Sequence, residues 1–189
     1  SSGGTRMERY PEIEQLVKAG TPFYVSWWNY YPKRITFSSS NMFMLWQIVS
    51  RDSAGAYHPT WGVFLDGSNS TLKLLWDPAR INAKLGLHGP HSGESGFREY
   101  KSNVVLPAGH WVLFEIMVKP AADYTGAVKI WMNGQLVADQ SNVKTRYPDS
   151  GLSGWMGVTH NAYGSNLTPT PATHYVDDVT ISLGRIAAP

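Results

Sequence analysis

Residues 111–140, WVLFEIMVKPAADYTGAVKIWMNGQLVADQ, decide the fold class. Val112, Phe114, Ile116 and Val118 alternate with Trp111, Leu113, Glu115 and Met117, the period of two that a pleated strand imposes. A polar connection from Pro120 to Gly126 leads into a second alternating run, Ala127 to Met132. Its Val128, Ile130 and Met132 share one face, while Lys129 and Trp131 take the other. Asn133-Gly134 follows, a pair that tolerates positive φ at both positions and so favours a type I′ hairpin turn. Gln135 to Ala138 returns as the partner strand. An antiparallel ribbon of this kind needs further strands to extend it and a second layer to cover its apolar face.

The chain is long enough for one such domain, at 189 residues. Aromatic residues make up 13% and charged residues only 16%, a balance that favours aromatic-rich strands over a helical bundle or a disordered chain. No cysteine is present, which excludes disulfide frameworks, thiolate metal sites and a cysteine nucleophile. A net charge of +2 is too small to imply a nucleic-acid partner, and no apolar run approaches the ~20 residues of a membrane span. A monomer is expected. No leader is visible, and Ser1-Ser2-Gly3-Gly4 has the look of an expression remnant.

Working outward, Thr5 to Tyr10 reads as a first strand with Arg6 and Glu8 on one face. Pro11 to Gly20 is the one helical turn, with Pro at its start, Gly at its end and Ile13, Leu16 and Val17 at helical spacing. Phe23 to Tyr31 carries aromatics on both faces. Met42 to Ser50 is almost wholly apolar, with Gln47 as its polar member. Trp61 to Leu65 and Thr71 to Trp76 form a second hairpin, and Arg80 to Gly96 a long Gly- and His-rich loop. Arg98 to Val105, Trp155 to His160 and Tyr175 to Leu183 complete the strands, with a loop from Asn161 to Thr173. Ten or more short strands without a fixed repeat predict an all-β antiparallel sandwich or jelly roll over residues 1–189.

The runs Tyr24-Val25-Ser26-Trp27-Trp28-Asn29-Tyr30-Tyr31-Pro32, Leu45-Trp46-Gln47-Ile48, His110 to Phe114, Gly126 to Val137 and Tyr175 to Ile181 resemble the concanavalin A-like jelly rolls. The likeness is greatest to polysaccharide lyases of the heparin lyase I and glucuronan lyase kind. This resemblance implies two sandwiched sheets, one with a concave glycan-facing surface, a secreted protein and a polysaccharide partner. In related alginate-type lyases an Arg-x-Glu strand, a Gln-Ile-His strand and a late Tyr-x-Lys strand line the groove. Arg6-Met7-Glu8 matches the first. Gln47-Ile48-Val49 matches two positions of the second, with Val49 where His would stand. Ser153-Gly154-Trp155-Met156-Gly157-Val158 keeps the Gly-Val ending of the third, with Ser153 and Trp155 replacing Tyr and Lys.

β-Elimination from a uronate needs a group that neutralises the carboxylate, a base for the C5 proton and an acid for the leaving oxygen. Arg6 and Gln47 suit the first role, although Gln47 equally fits a core amide and Arg6 a surface charge. His160 suits the base, and Tyr57 and His58 come next; each also fits a rim or turn. Trp28, Tyr30 and Trp155 are expected to line a sugar platform, because indole and phenol faces stack on sugar C–H faces, while most other tryptophans pack between sheets. Trp111 and Trp131 are expected to be partly structural. Asp178, beside Asp177, is a candidate structural calcium ligand. His88, His91 and Glu94 do not match a zinc spacing. The substitutions at the lyase motifs favour a glycan-binding module, the alternative being an active lyase on an acidic glycan. A structural or adhesive laminin-G-like domain is a second alternative.

Overall fold

The structure is a computed structural model, described here for residues 11–38, 43–51, 57–67, 71–76, 98–145, 156–164 and 166–186. One helix and ten strands occur among them. The helix α1 (Pro11–Ala19) precedes β1 (Phe23–Tyr30), β2 (Phe43–Arg51), β3 (Tyr57–Asp66), β4 (Thr71–Trp76) and β5 (Arg98–Val105). Then follow β6 (Trp111–Lys119), β7 (Gly126–Met132), β8 (Gln135–Val143), β9 (Met156–Gly164) and β10 (Tyr175–Ser182). They form two five-stranded sheets, β10-β1-β6-β7-β8 and β5-β4-β3-β2-β9, with every pair antiparallel. This is the expected jelly-roll sandwich. The proposed strand at Thr5 to Tyr10 and the loop at Arg80 to Gly96 lie outside the described residues. The strand expected to end at His160 continues to Gly164.

The helix stops where its sequence says it must. Gly20 adopts φ +66°, its N–H donates to Val17 O at 3.2 Å, and Thr21 N–H donates to Leu16 O at 3.0 Å. This paired closure satisfies carbonyls that the last turn would leave open. Val17 from the same helix is fully buried in the core.

The hairpin of β7 and β8 turns on Asn133 (φ 48°) and Gly134 (φ 78°), both left-handed as a type I′ turn requires. Asn133 is also tied to β6: its N–H donates to Leu113 O at 2.8 Å, and its Oδ1 accepts from Leu113 N–H at 2.9 Å. The tip therefore extends the β6–β7 ladder beyond Phe114↔Met132.

Alternation places the core. Val112, Phe114, Ile116 and Val118 of β6, with Phe23, Val25 and Trp27 of β1, face Phe43, Trp46, Ile48, Trp61, Val63 and Leu65 of the other sheet in one buried cluster. Trp27 stacks on Phe114 with centroids 5.5 Å apart. Polar atoms accompany them: the Asn29 amide, the Tyr31 hydroxyl and the Trp46 indole N–H are buried without a hydrogen-bond partner. Burial pushes the Tyr31 phenol far above its ordinary value.

The opposite face of the first sheet is not uniformly solvated. Met117, Ala127 and Trp131 form a second small cluster with Tyr24 against it. The segment after β10 crosses this face. Arg185 Nε donates to Glu115 Oε1 at 2.5 Å, Ile186 N–H donates to Glu115 Oε2 at 2.8 Å, and the Arg185 guanidinium lies 4.4 Å from the Trp131 ring centre. Glu115 is thereby only 2% exposed, a charge removed from water but paired twice.

Candidate functional site

Gln47 is the candidate residue around which the second sheet gathers a distinctive outer face. It sits on β2 opposite Gly62 of β3 and Thr159 of β9. A register shift between Met44 and Trp46 sets its orientation: Trp46 and Ile48 pair with Val63 and Trp61 in the core, so Gln47 points outward and is half-buried. Gln47 thus lies outside the inter-sheet core, on the outer side of β2.

Around this amide the face mixes an aromatic ring with cations. Phe64, two residues beyond Gly62 and hence on the same side of β3, leans its ring over the glycine; a Cβ at Gly62 would come 2.5 Å from Phe64 Cε2. Phe64 pairs with Lys73 of β4, and Lys73 with Lys101 of β5, so one rung carries a half-buried ring and two lysines. Lys101 Nζ lies 3.4 Å from Asp66 Oδ2. An amide donor, an apolar ring and ammonium groups on neighbouring strands can hold an anionic, partly apolar molecule. Phe64, Gly62 and Lys73 were not singled out by the sequence reading. The signal was present in the alternate positions of Gly62 and Phe64, but it acquires meaning only when β3 is known to lie beside Gln47.

The other candidates divide. Tyr57 and His58 begin β3, opposite Arg51 and Ser50 of β2. His160 lies on β9 opposite Trp46, one register position from the rung of Gln47 and Thr159. β3, β2 and β9 are consecutive neighbours, so the strands bearing Gln47, Tyr57, His58 and His160 are brought together. Arg6 and Trp155 lie outside the described residues, as do His88, His91 and Glu94.

Trp28 and Tyr30 require a correction. Both belong to β1, in the sheet across the core from Gln47, and both occupy its outer side, since their neighbours Trp27 and Tyr31 are buried inward. They cannot share one groove face with Gln47. Alternation assigns residues to the two sides of a strand, but it does not say which sheet the strand joins.

Asp178 occupies a bulge in β10, where two residues intervene between the partners of Ser26 and Trp28 and only one on β1. Its φ is +47°, its N–H donates to Asp177 Oδ1 at 2.9 Å, and both acids are exposed. Among the described residues no group of three or more metal-ligating side chains occurs.

With the fold and this face defined, comparison with known proteins assigns the class. A family model for polysaccharide lyases matches residues 3–180, and the chain belongs to that family. Its fold is shared with an endo-β-1,4-glucuronan lyase from the fungus Trichoderma reesei, at TM-score 0.60 and 16% identity over 96% of this chain and 76% of that one. An alginate lyase from Pseudomonas aeruginosa is similar at TM-score 0.51 and 15% identity, over 87% of this chain and 66% of that one. A family 7 alginate lyase solved with substrate gives TM-score 0.50 and 12% identity, over 86% and 60%. At these identities the likeness establishes the architecture alone. No protein of curated function matches the sequence.

Proposed function

We propose that the protein acts on a uronate-containing polysaccharide as a lyase, binding the chain across the outer face of β4, β3, β2 and β9. The observation that carries this reading is the outer face of β2, β3 and β4: the outward Gln47 amide opposite Gly62, the Phe64 ring leaning over that glycine, and Lys73 in the rung of Phe64. In this reading the Gln47 side-chain N–H donates to the uronate carboxylate and stabilises the charge that develops when the C5 proton leaves. The Phe64 ring stacks on a sugar face, and the lysines attract the polyanion. The base and the acid are sought on the adjoining β3, at Tyr57 and His58, because the register sets His160 opposite the core residue Trp46. Arg6 is a second carboxylate partner. The family membership and the glucuronan-lyase fold support the class of substrate. A polymer of this kind does not cross membranes, which supports action outside the cell. No helix among the described residues is long and apolar enough to cross a membrane.

Binding without cleavage is the second reading. It is favoured by the register that sets His160 opposite Trp46, with Gly62 and Thr159 as the partners of Gln47. Ultraviolet absorbance of unsaturated uronate products, followed over glucuronan and alginates, separates the two. Growth of that signal, lost in Gln47→Ala and reduced in Tyr57→Phe or His58→Ala, is the expected result. Measurable affinity with no absorbance change across both polymers would leave binding alone.

A further inference from the structure

The first sheet carries an aromatic row of its own, on the side of the molecule opposite Gln47. Tyr30 of β1 is in register with Trp111 of β6 on one side and Tyr175 of β10 on the other. The three rings therefore occupy one rung running across three strands, with centroids 5.5 Å apart for Tyr30–Trp111 and 6.1 Å for Tyr30–Tyr175. Both outer rings are largely in water: Trp111 is 45% exposed and Tyr175 53%. Strand-borne rings in mutual contact are held rigidly, so a ligand that stacks on them orders little that is not already ordered.

The row runs into a cleft. Tyr175 also lines a depression of about 290 Å³ together with Pro32, Lys33, Pro169, Pro171 and Thr173. Its walls are two loops joined by a pair of backbone bonds, Thr36 N–H to Thr168 O at 2.9 Å and Thr168 N–H to Thr36 O at 2.8 Å. Lys33 brings an exposed ammonium group to the wall. The nearest acid along β10 on the row's own side is Asp177, which follows Tyr175 in the strand, whereas the cleft residue Thr173 precedes it.

We propose that this row and cleft form a second glycan-binding surface, distinct from the Gln47 face, which takes an acidic oligosaccharide segment. Sugar rings present C–H faces to Trp111 and Tyr175, and a carboxylate is received by Lys33. Planar rings with polar edges beside a cation suit alternating apolar faces and acids better than they suit a dry protein interface, whose centre is depleted of lysine. The proposal rests on the reading that the protein acts on a uronate polysaccharide. It adds that one polymer, or two, can be held on both sides of the sandwich, which raises residence on the polymer through effective concentration.

Calorimetric titration with glucuronan and alginate oligosaccharides, with a neutral xylo-oligosaccharide as control, tests it on the whole chain. The Gln47→Ala protein is expected to retain acidic-glycan binding. Adding Trp111→Ala and Tyr175→Ala should weaken that residual binding about tenfold or more, the scale of lost aromatic stacking. Lys33→Ala should weaken the acidic ligands and leave the neutral control unaltered. Circular dichroism and melting of each variant guard against misfolding, and a Trp111→Phe variant with a native melting curve provides a milder probe. The proposal is overturned if Gln47→Ala alone abolishes binding, or if the folded Trp111/Tyr175 variants bind as the parent does. Formation of unsaturated product with only one class of site would remove the second surface and leave the lyase reading intact. No binding and no product with any acidic glycan would remove both.

Discussion

Trp131 and Trp111 stand on the same outer face of the same sheet and meet opposite fates. Trp131 is 9% exposed, packed with Met117, Ala127 and Tyr24 under the Arg185 guanidinium. Trp111 is 45% exposed, touched by Tyr30 and left open. Nothing in the strands themselves distinguishes them, since both alternate away from the inter-sheet core. The difference is cover: the chain after β10 returns over one end of the face, where Glu115 anchors it, and leaves the other end bare. One end of the face thus belongs to the fold, and the other is available to a partner.

The sharpest test of this contrast is truncation of the covered ring. Trp131→Ala is expected to lower stability by about 3–5 kcal/mol, as removal of a buried indole does, read from urea unfolding. A loss below about 1 kcal/mol would show that the C-terminal cover does not seal this end. Removing the cover itself comes next. Arg185→Ala leaves the Glu115 carboxylate with one partner, and about 1–2 kcal/mol should be lost; the figure is held down because the Arg185 side chain is 41% exposed and water can replace it. Glu115→Gln together with Arg185→Ala should recover part of that loss, because the buried charge has gone.

At the open end the hairpin tip gives a smaller effect. Gly134→Val must place a β-branched residue at φ 78°, and a loss of about 1 kcal/mol or more is expected. An unaltered melting midpoint would mean that the turn relaxes to another type without cost. Trp111→Ala should change stability by less than about 0.5 kcal/mol, the range of surface substitutions, and the same variant is the one expected to lose glycan. A loss comparable to that of Trp131→Ala would place Trp111 with the fold.

The finest distinction concerns His174, stacked on Tyr31 with centroids 5.5 Å apart at the open end. Burial holds its pKa below the ordinary histidine value. The unfolded chain therefore takes up the proton more readily, so this contribution to stability is present above pH ~6.5 and is lost as pH falls toward the lowered folded value. His174→Phe should flatten the difference in stability between pH ~7 and pH ~5 relative to the parent. An identical pH profile for the two proteins would show that the ring is solvated.

Much of this molecule was legible from local pattern. The alternation of residues 111–119, the Asn133-Gly134 turn and the Pro-to-Gly limits of the helix all rest on interactions within a few residues, and each recurs in the structure. The face of Gln47 could be narrowed to two roles, and the neighbours Phe64 and Lys73 could not be named. Those depend on strand order, which pairs segments far apart in sequence. Trp28 and Tyr30 show the same limit from the other side, because their aromatic row was readable while its sheet was not.

The sequence by itself determined the strands, their two faces, the turns and the family likeness, because backbone sterics and side-chain period act locally. Only the tertiary structure decided which strands share a sheet and which outward rings are covered. The pairing β10-β1-β6 builds the row of Tyr175, Tyr30 and Trp111, and the pairing β4-β3-β2-β9 surrounds Gln47. The return of residues 183–186 over Trp131 and Glu115 completes the distinction, since burial is a property of what lies above a side chain and not of the strand that carries it.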